Sequence, residues 1–399
     1  MSVAPAPPPL FTRRFLSLWL FQFGTFFSAF QLLPVIPLRI IELGGSKAQA
    51  GMFLFVYTIA SALAAPVTGT IGDHVGRRRM LIGASMLFVV FSLAYGVVPW
   101  LPLVLIIGLV HGAIWSSILS AGSALMTDFI PVERRTQGLA YWGLASTAAI
   151  AVAPAAGLFM YRFGWMALCV EIAAISAAMA IWASRLPASD RRDPNAQFPR
   201  LGDLWDWRVA YATLSLAVIA FGYGGVTSYV ALLSRERGIT PESLFFTVFA
   251  LTVILVRVFT SHLGDRYGHK VLLYPAYAAM PLAFLTLAVA QTRLHLSGSA
   301  ILFGIGMGAS FPSFTTFIVA HTDEKRRGRT FGSIIWAFDT GIGIGSMVIG
   351  AMTQRRGFGF AFNVAAAISC LAIPLFMSAA RQLTRGTRVA ENAEHAGTG

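Results

Sequence analysis

The stretch Gly69-Thr-Ile-Gly72-Asp73-His-Val-Gly76-Arg77-Arg78-Arg79-Met-Leu81 returns at 261–273 as Ser-His-Leu-Gly264-Asp265-Arg266-Tyr-Gly268-His-Lys270-Val-Leu-Leu. Gly72, Asp73 and Gly76 fall on Gly264, Asp265 and Gly268 at one shift of 192 positions. Each copy ends one long apolar run and begins the next. Glycines allow close backbone approach, one acid sits at the helix end, and a cationic cluster follows. Punctuation used once in each half marks a duplicated chain. A second echo, Thr136-Gln-Gly138 before Trp142 against Thr330-Phe-Gly332 before Trp336, has nearly the same spacing at a shift of 194.

The chain of 399 residues is 56% hydrophobic and only 12% charged, with mean hydropathy +0.69. A soluble protein would carry about 25% charge. So few charges cannot make an aqueous surface, and lipid must cover much of the chain. The net charge of +13 does not point to nucleic acid, because the cations lie in short clusters between apolar runs, as membrane topology is written. Cys169 and Cys370 sit inside apolar runs and read as buried thiols, with no disulfide framework.

A bilayer core takes about 20 apolar residues to cross. Twelve stretches qualify, at 15–38, 49–71, 80–99, 102–126, 137–160, 164–184, 209–231, 243–263, 271–291, 298–320, 331–353 and 359–380. Lipid offers no partner to open backbone groups, so all are read as helices. The expected class is an all-α membrane protein: a tail (1–14), a six-helix bundle (15–184), a charged linker (185–208), a second six-helix bundle (209–380) and a polar tail (381–399). Alternate loops hold 21 Lys and Arg against 8, which puts both termini and the linker on the cytoplasmic side.

The duplicated stretch resembles the loop signature G-x-x-x-D-R-x-G-R-[KR] of the major facilitator superfamily, transporters of 12 helices in two pseudo-symmetric bundles. Asp73 ends a helix whose dipole disfavours an anion. The resemblance implies that this acid faces a helix start in the other half, here Thr330–Gly332, with Asp265 facing Thr136–Gly138 in the same way. Gly69, Gly72, Asp73, Gly76, Arg77, Arg78, Gly264, Asp265, Arg266 and Gly268 would then form a cytoplasmic latch; a solvated loop is the plain alternative. Asp128-Phe-Ile-Pro131-Val-Glu133-Arg134-Arg135 resembles the family's D-x-x-P-x-x-x-R pattern and reads mainly as topology. Ala153, Pro154 and Gly157 in the fifth span resemble the exporters' G-x-x-x-G-P-x-x-G-[GA], with alanine for two glycines.

Ionisable groups inside apolar spans mark coupling sites or fixed pairs. They are His111, Glu171, Arg257 and Asp339. The arginine that many proton-coupled members place in the fourth span is replaced here by Gly108, with His111 nearby. By helical rise, Arg257 and Asp339 sit at similar depth, either as an ion pair or as a gated proton site. The sixth span faces lipid in the family, so Glu171 could equally bond a neighbour. Phe338-Asp339-Thr-Gly341-Ile-Gly343-Ile-Gly345 resembles a pattern of sugar-efflux-like and opine-exporter-like members.

The family lines its cavity with the first, fourth, seventh and tenth spans. Those faces carry Gln22, Phe26, Phe30, Gln31, His111, Trp115, Tyr223, Thr227, Phe311 and Thr315. An aromatic, sparingly polar lining suits neutral or weakly charged amphiphiles. No phosphate-binding glycine loop occurs, and seven scattered histidines offer no metal or catalytic cluster. The expectation is a non-enzymatic, cofactor-free proton antiporter exporting drugs or small amphiphilic metabolites, monomeric, in a bacterial inner membrane. The alternative is a proton symporter importing a sugar or organic acid. Its partners would be a small-molecule substrate, protons and lipid, with no nucleic acid and no metal.

Overall fold

The computed structural model describes residues 9–131, 134–186, 207–322 and 327–383; the side chains of 135, 136, 140, 207, 208, 260–267, 327 and 328 lie outside that description. Among the described residues the helices are, in order, α1 Arg13–Leu32, α2 Ile36–Glu42, α3 Lys47–Val75, α4 Arg77–Val97, α5 Leu101–Phe129, α6 Arg135–Tyr161, α7 Trp165–Arg185, α8 Trp207–Glu236, α9 Leu244–Tyr267, α10 His269–Ala288, α11 Arg293–Ala320 and α12 Arg327–Ser369, followed by a further helical stretch at 372–383. Among the described residues, ten helical segments are long and apolar enough to cross a membrane, and a shorter apolar one covers Leu244–Phe259.

These elements and the expected spans differ at two places. The first span breaks between α1 and α2, because Pro34 has no N–H to donate and Pro37 opens the next helix. The last two spans form one helical segment, Arg329–Leu383, of 55 residues. Gly357, at φ 81°, breaks it, and a non-helical turn at Cys370–Leu371 precedes Pro374.

The chain forms two compact units, one from residues 1–43 with 59–199 and one from 44–58 with 200–399. The first twelve residues of α3 therefore belong to the second unit. In the first, α1 packs on α6 and α4 on α5 and α7; in the second, α8 packs on α12, and α11 on α9 and α10. The burial pattern suits a lipid solvent. On α1, Gln22, Thr25, Ser28 and Gln31 are buried while Leu16 and Leu20 face outward. Cys169 is buried as expected, but Cys370 is exposed, because it sits in the turn after α12 and not on a packed helix face.

The duplication is written most clearly in the backbone. The described residues at positive φ are six glycines. They pair as Gly44 with Gly238, Gly76 with Gly268, and Gly164 with Gly357, at shifts of 194, 192 and 193. A side chain at such φ would crowd its own carbonyl, so glycine is required where each helix turns into the next.

Close approach sets the helix pairs. A methyl group added at Gly157 of α6 would collide with the carbonyl of Gln31 on α1, and one at Gly345 of α12 with the carbonyl of Phe221 on α8. Small residues let lipid-embedded helices reach van der Waals contact along their backbones.

Candidate functional site

The repeated loop is held by a charge cluster in the first unit. Arg77, at the start of α4, donates to Asp128 near the end of α5 and to the Ala124 carbonyl at 3.0 Å. It also reaches Asp73, one turn earlier on α3, at 3.3 Å. Arg78 donates to the carbonyl of Ser184 at the end of α7. The cations thereby occupy carbonyl-rich helix ends, where the helix dipole favours positive charge. The short loop between α3 and α4 is possible because Gly76 stands at φ 100°. A methyl at Gly69 would meet nothing within 4 Å, and one at Gly72 only Met80 Sδ at 3.0 Å. The motif thus uses Gly76 for its turn, and neither Gly69 nor Gly72 supports a close backbone contact. Asp128, read as topology in the sequence, is the buried partner of Arg77; the signal was its place in the D-x-x-P pattern. Gly268 repeats the turn at φ 84°, while the side chains of Gly264, Asp265 and Arg266 lie outside the described residues.

The expected lining residues of the first unit gather around Trp115. Its ring lies 4.9 Å from Phe26, 6.2 Å from Phe30 and 6.3 Å from Phe88. His111, one turn away on α5, is buried and turns to α4, with its ring 4.4 Å from Phe88 and its Nδ1 3.4 Å from the Tyr95 hydroxyl. Gln22 is buried near Gly122. Gln31 is fully buried and donates to Glu171 of α7 at 3.2 Å. A residue read as cavity lining and one read as a coupling site are therefore one hydrogen-bonded pair. Gln31 Oε1 and Glu171 Oε2 are buried without a hydrogen-bond partner. Ala153 is buried and Pro154 lies inside α6.

In the second unit, Tyr223 stacks on Phe303 at 6.0 Å and on Phe338 at 6.2 Å, and Phe338 meets Phe311 at 5.0 Å. Thr227 is buried one turn after Tyr223. Phe338 joins the aromatic groups of α8 and α11, a contact that its quoted motif did not assign. Asp339 follows it and is close enough to the Tyr57 hydroxyl of α3 to act on it electrostatically. Among the described residues no ion pair joins Arg257 to Asp339. The glycines of the α12 pattern serve helix contact, as Gly345 does against Phe221.

This arrangement of membrane helices, duplicated turns and a charge-held loop has a match along nearly all of the chain. The family model of the Major Facilitator Superfamily matches residues 18–293 and again 212–397. The chain belongs to the major facilitator superfamily. It is a multi-pass membrane transporter and not an enzyme. Curated relatives of this superfamily member include the multi-drug resistance efflux pump PmrA of Streptococcus pneumoniae, 24% identical over 88% of this chain and 93% of that one. The multidrug resistance protein MdtG of Salmonella choleraesuis is 24% identical over 92% and 95%. The staphylopine export protein of Staphylococcus aureus is 22% identical over 84% and 88%. Among solved structures, the nucleoside transporter NupG superposes with TM-score 0.74 at 14% identity, covering 92% of this chain and 99% of that one. A POT family transporter in complex with 5-aminolevulinic acid gives 0.79 at 12% identity, covering 93% and 97%. At these identities the structures speak for the fold.

Proposed function

We propose that this transporter exports drugs or small amphiphilic metabolites in exchange for protons, by alternating access. The observation behind the direction is that relatives aligned over most of their length are named as efflux or export proteins. Rocking of two bundles about a mid-membrane site is the superfamily's way of moving a solute without nucleotide. The aromatic groups around Trp115 and Tyr223 give a soft, sparingly polar surface suited to amphiphiles.

Asp339 and Glu171 are the groups assigned to proton coupling, with Arg257 and His111 shaping the field around them. A carboxyl group inside a span persists where it is paired or functional, and Asp339 has no ion-pair partner among the described residues. The Asp73–Arg77–Asp128 cluster serves as the cytoplasmic latch, with the second-half motif as its counterpart. The cation tally supports cytoplasmic termini in a bacterial inner membrane, and we assign a functional monomer.

Efflux from energised cells tests the reading. Cells expressing the transporter and preloaded with ethidium should lose the dye faster than vector controls, and a protonophore should abolish the difference. Proton-driven accumulation of a sugar or organic acid, with no dye efflux, would instead favour the import alternative.

A further inference from the structure

Arg257, half-buried, continues the α9 stripe of the buried Phe246, Ala250 and Val253, whereas Leu251, Ile254, Leu255 and Val258 face outward. That stripe packs on α11. A methyl at Gly304 would touch Thr252 and Phe249, and one at Gly308 would lie 3.1 Å from Val256 and 3.5 Å from Val253. Four residues along one helix thus match four along the other, and the next turn brings Phe311 opposite Arg257, with Thr315 one turn further along the same stripe. Glycine gives way there to side chains that can meet a ligand.

Two polar atoms along these stripes are unsatisfied. Arg257 Nε and Thr315 Oγ1 are buried with no hydrogen-bond partner. Among the described residues no ion pair joins Asp339 to Arg257. A guanidinium inside a span, without a carboxylate beside it, is set up to receive an anion from elsewhere. Phe311, on the same α11 stripe as Thr315, meets Phe338 at 5.0 Å between ring centroids, and Phe338 continues to Tyr223 at 6.2 Å.

We infer that Arg257 and Thr315 form an anion subsite that binds the carboxylate of an amphiphilic substrate, with the substrate's apolar body on Phe311, Phe338 and Tyr223. One guanidinium fork with one hydroxyl matches a monoanionic carboxylate in charge and shape. A phosphate dianion would want a second cation, and among the described side chains of 246–259 on α9 and 304–315 on α11 none accompanies Arg257. The subsite refines the substrate class within the proposed transport function and rests on it only for its physiological use.

The test is calorimetric titration of the purified full-length protein with 2-naphthoate and its uncharged isostere 2-naphthamide. Naphthoate should bind roughly tenfold tighter, because loss of the anion leaves the guanidinium unpaired. Arg257→Gln should erase the preference and Arg257→Lys should keep part of it. If Arg257→Gln does not fold, Thr315→Val should weaken naphthoate several-fold and leave naphthamide unchanged. Absence of saturable naphthoate binding, equal affinities in the wild type, or a preference surviving these substitutions would overturn the subsite. Proton flux with lipophilic cations separates the two claims. Flux without naphthoate selectivity removes the subsite alone, and selectivity without any flux removes the antiport reading alone.

Discussion

Arg77 at the start of α4 is shared between two acids, and the more buried one is Asp128. The Asp128 side chain is 10% exposed, and Asp73, 3.3 Å from the same guanidinium, is 39% exposed. Removing one member of a buried pair costs about 3–5 kcal/mol, whereas exposed pairs are worth about 0–1 kcal/mol. Asp128→Asn should therefore lower the unfolding midpoint clearly. Asp73→Asn should hardly change it, yet stop transport if the loop is a latch. Thermal unfolding and dye efflux of the two variants, side by side, check this. Equal midpoints would contradict the unequal sharing.

Gly76 and Gly268 hold φ of 100° and 84° at equivalent turns. Alanine at either should cost about 1–3 kcal/mol, because positive φ with ψ of 128° and 143° lies where essentially only glycine is unstrained. Gly69→Ala should be silent, since nothing lies within 4 Å of the added methyl. Comparing the three midpoints separates backbone demand from motif membership.

Gln31 and Glu171 bond at 3.2 Å across α1 and α7. Gln31→Leu leaves the Glu171 carboxyl without its donor, and an unmet buried group costs about 1–3 kcal/mol. Glu171→Gln keeps a hydrogen-bonding side chain and removes the charge, so it should be tolerated better. A Gln31→Leu midpoint at or above that of Glu171→Gln would show that the pair contributes little.

The start of α3 is fastened within the second unit. The Tyr229 hydroxyl donates to the Lys47 carbonyl at 2.7 Å, and the Lys47 ammonium pairs with Glu236 at 2.7 Å. Tyr229→Phe should cost about 1 kcal/mol, the net value of one hydrogen bond. The Lys47–Glu236 pair, with side chains 23% and 43% exposed, should show a coupling below about 1 kcal/mol in a double-mutant cycle that shrinks with salt. Hydrogen exchange at 47–52 in Tyr229→Phe gives a second, local readout.

The duplication was legible because a left-handed turn admits little but glycine, so Gly76 and Gly268 stay aligned while their neighbours drift. The pairs Gly44–Gly238 and Gly164–Gly357 carry the same signal without flanking charges, and only the backbone reveals them. Span positions were legible because lipid demands apolar length, whereas the break that Pro34 and Pro37 bring to the first span lay inside an apolar run and did not show in it. Long-range pairing was not legible. Gln31 meets Glu171 at a separation of 140 residues, and Arg77 meets Asp128 at 51. No local pattern encodes which helix faces which. The aromatic cluster was legible in part, since helical spacing put Phe26 and Phe30 on one face of α1, where their rings meet Trp115. His111 turned to α4 instead, which spacing on α5 alone could not decide.

The most direct measurement is the lumenal pH of acid-loaded, inside-out vesicles containing the transporter, on addition of lipophilic cations, antibiotics and small metabolites in turn. Proton antiport predicts alkalinisation with at least one compound, absent in Asp73→Asn vesicles. Silence across the set, with sugar or organic-acid uptake by right-side-out vesicles, would contradict export and favour proton-driven import.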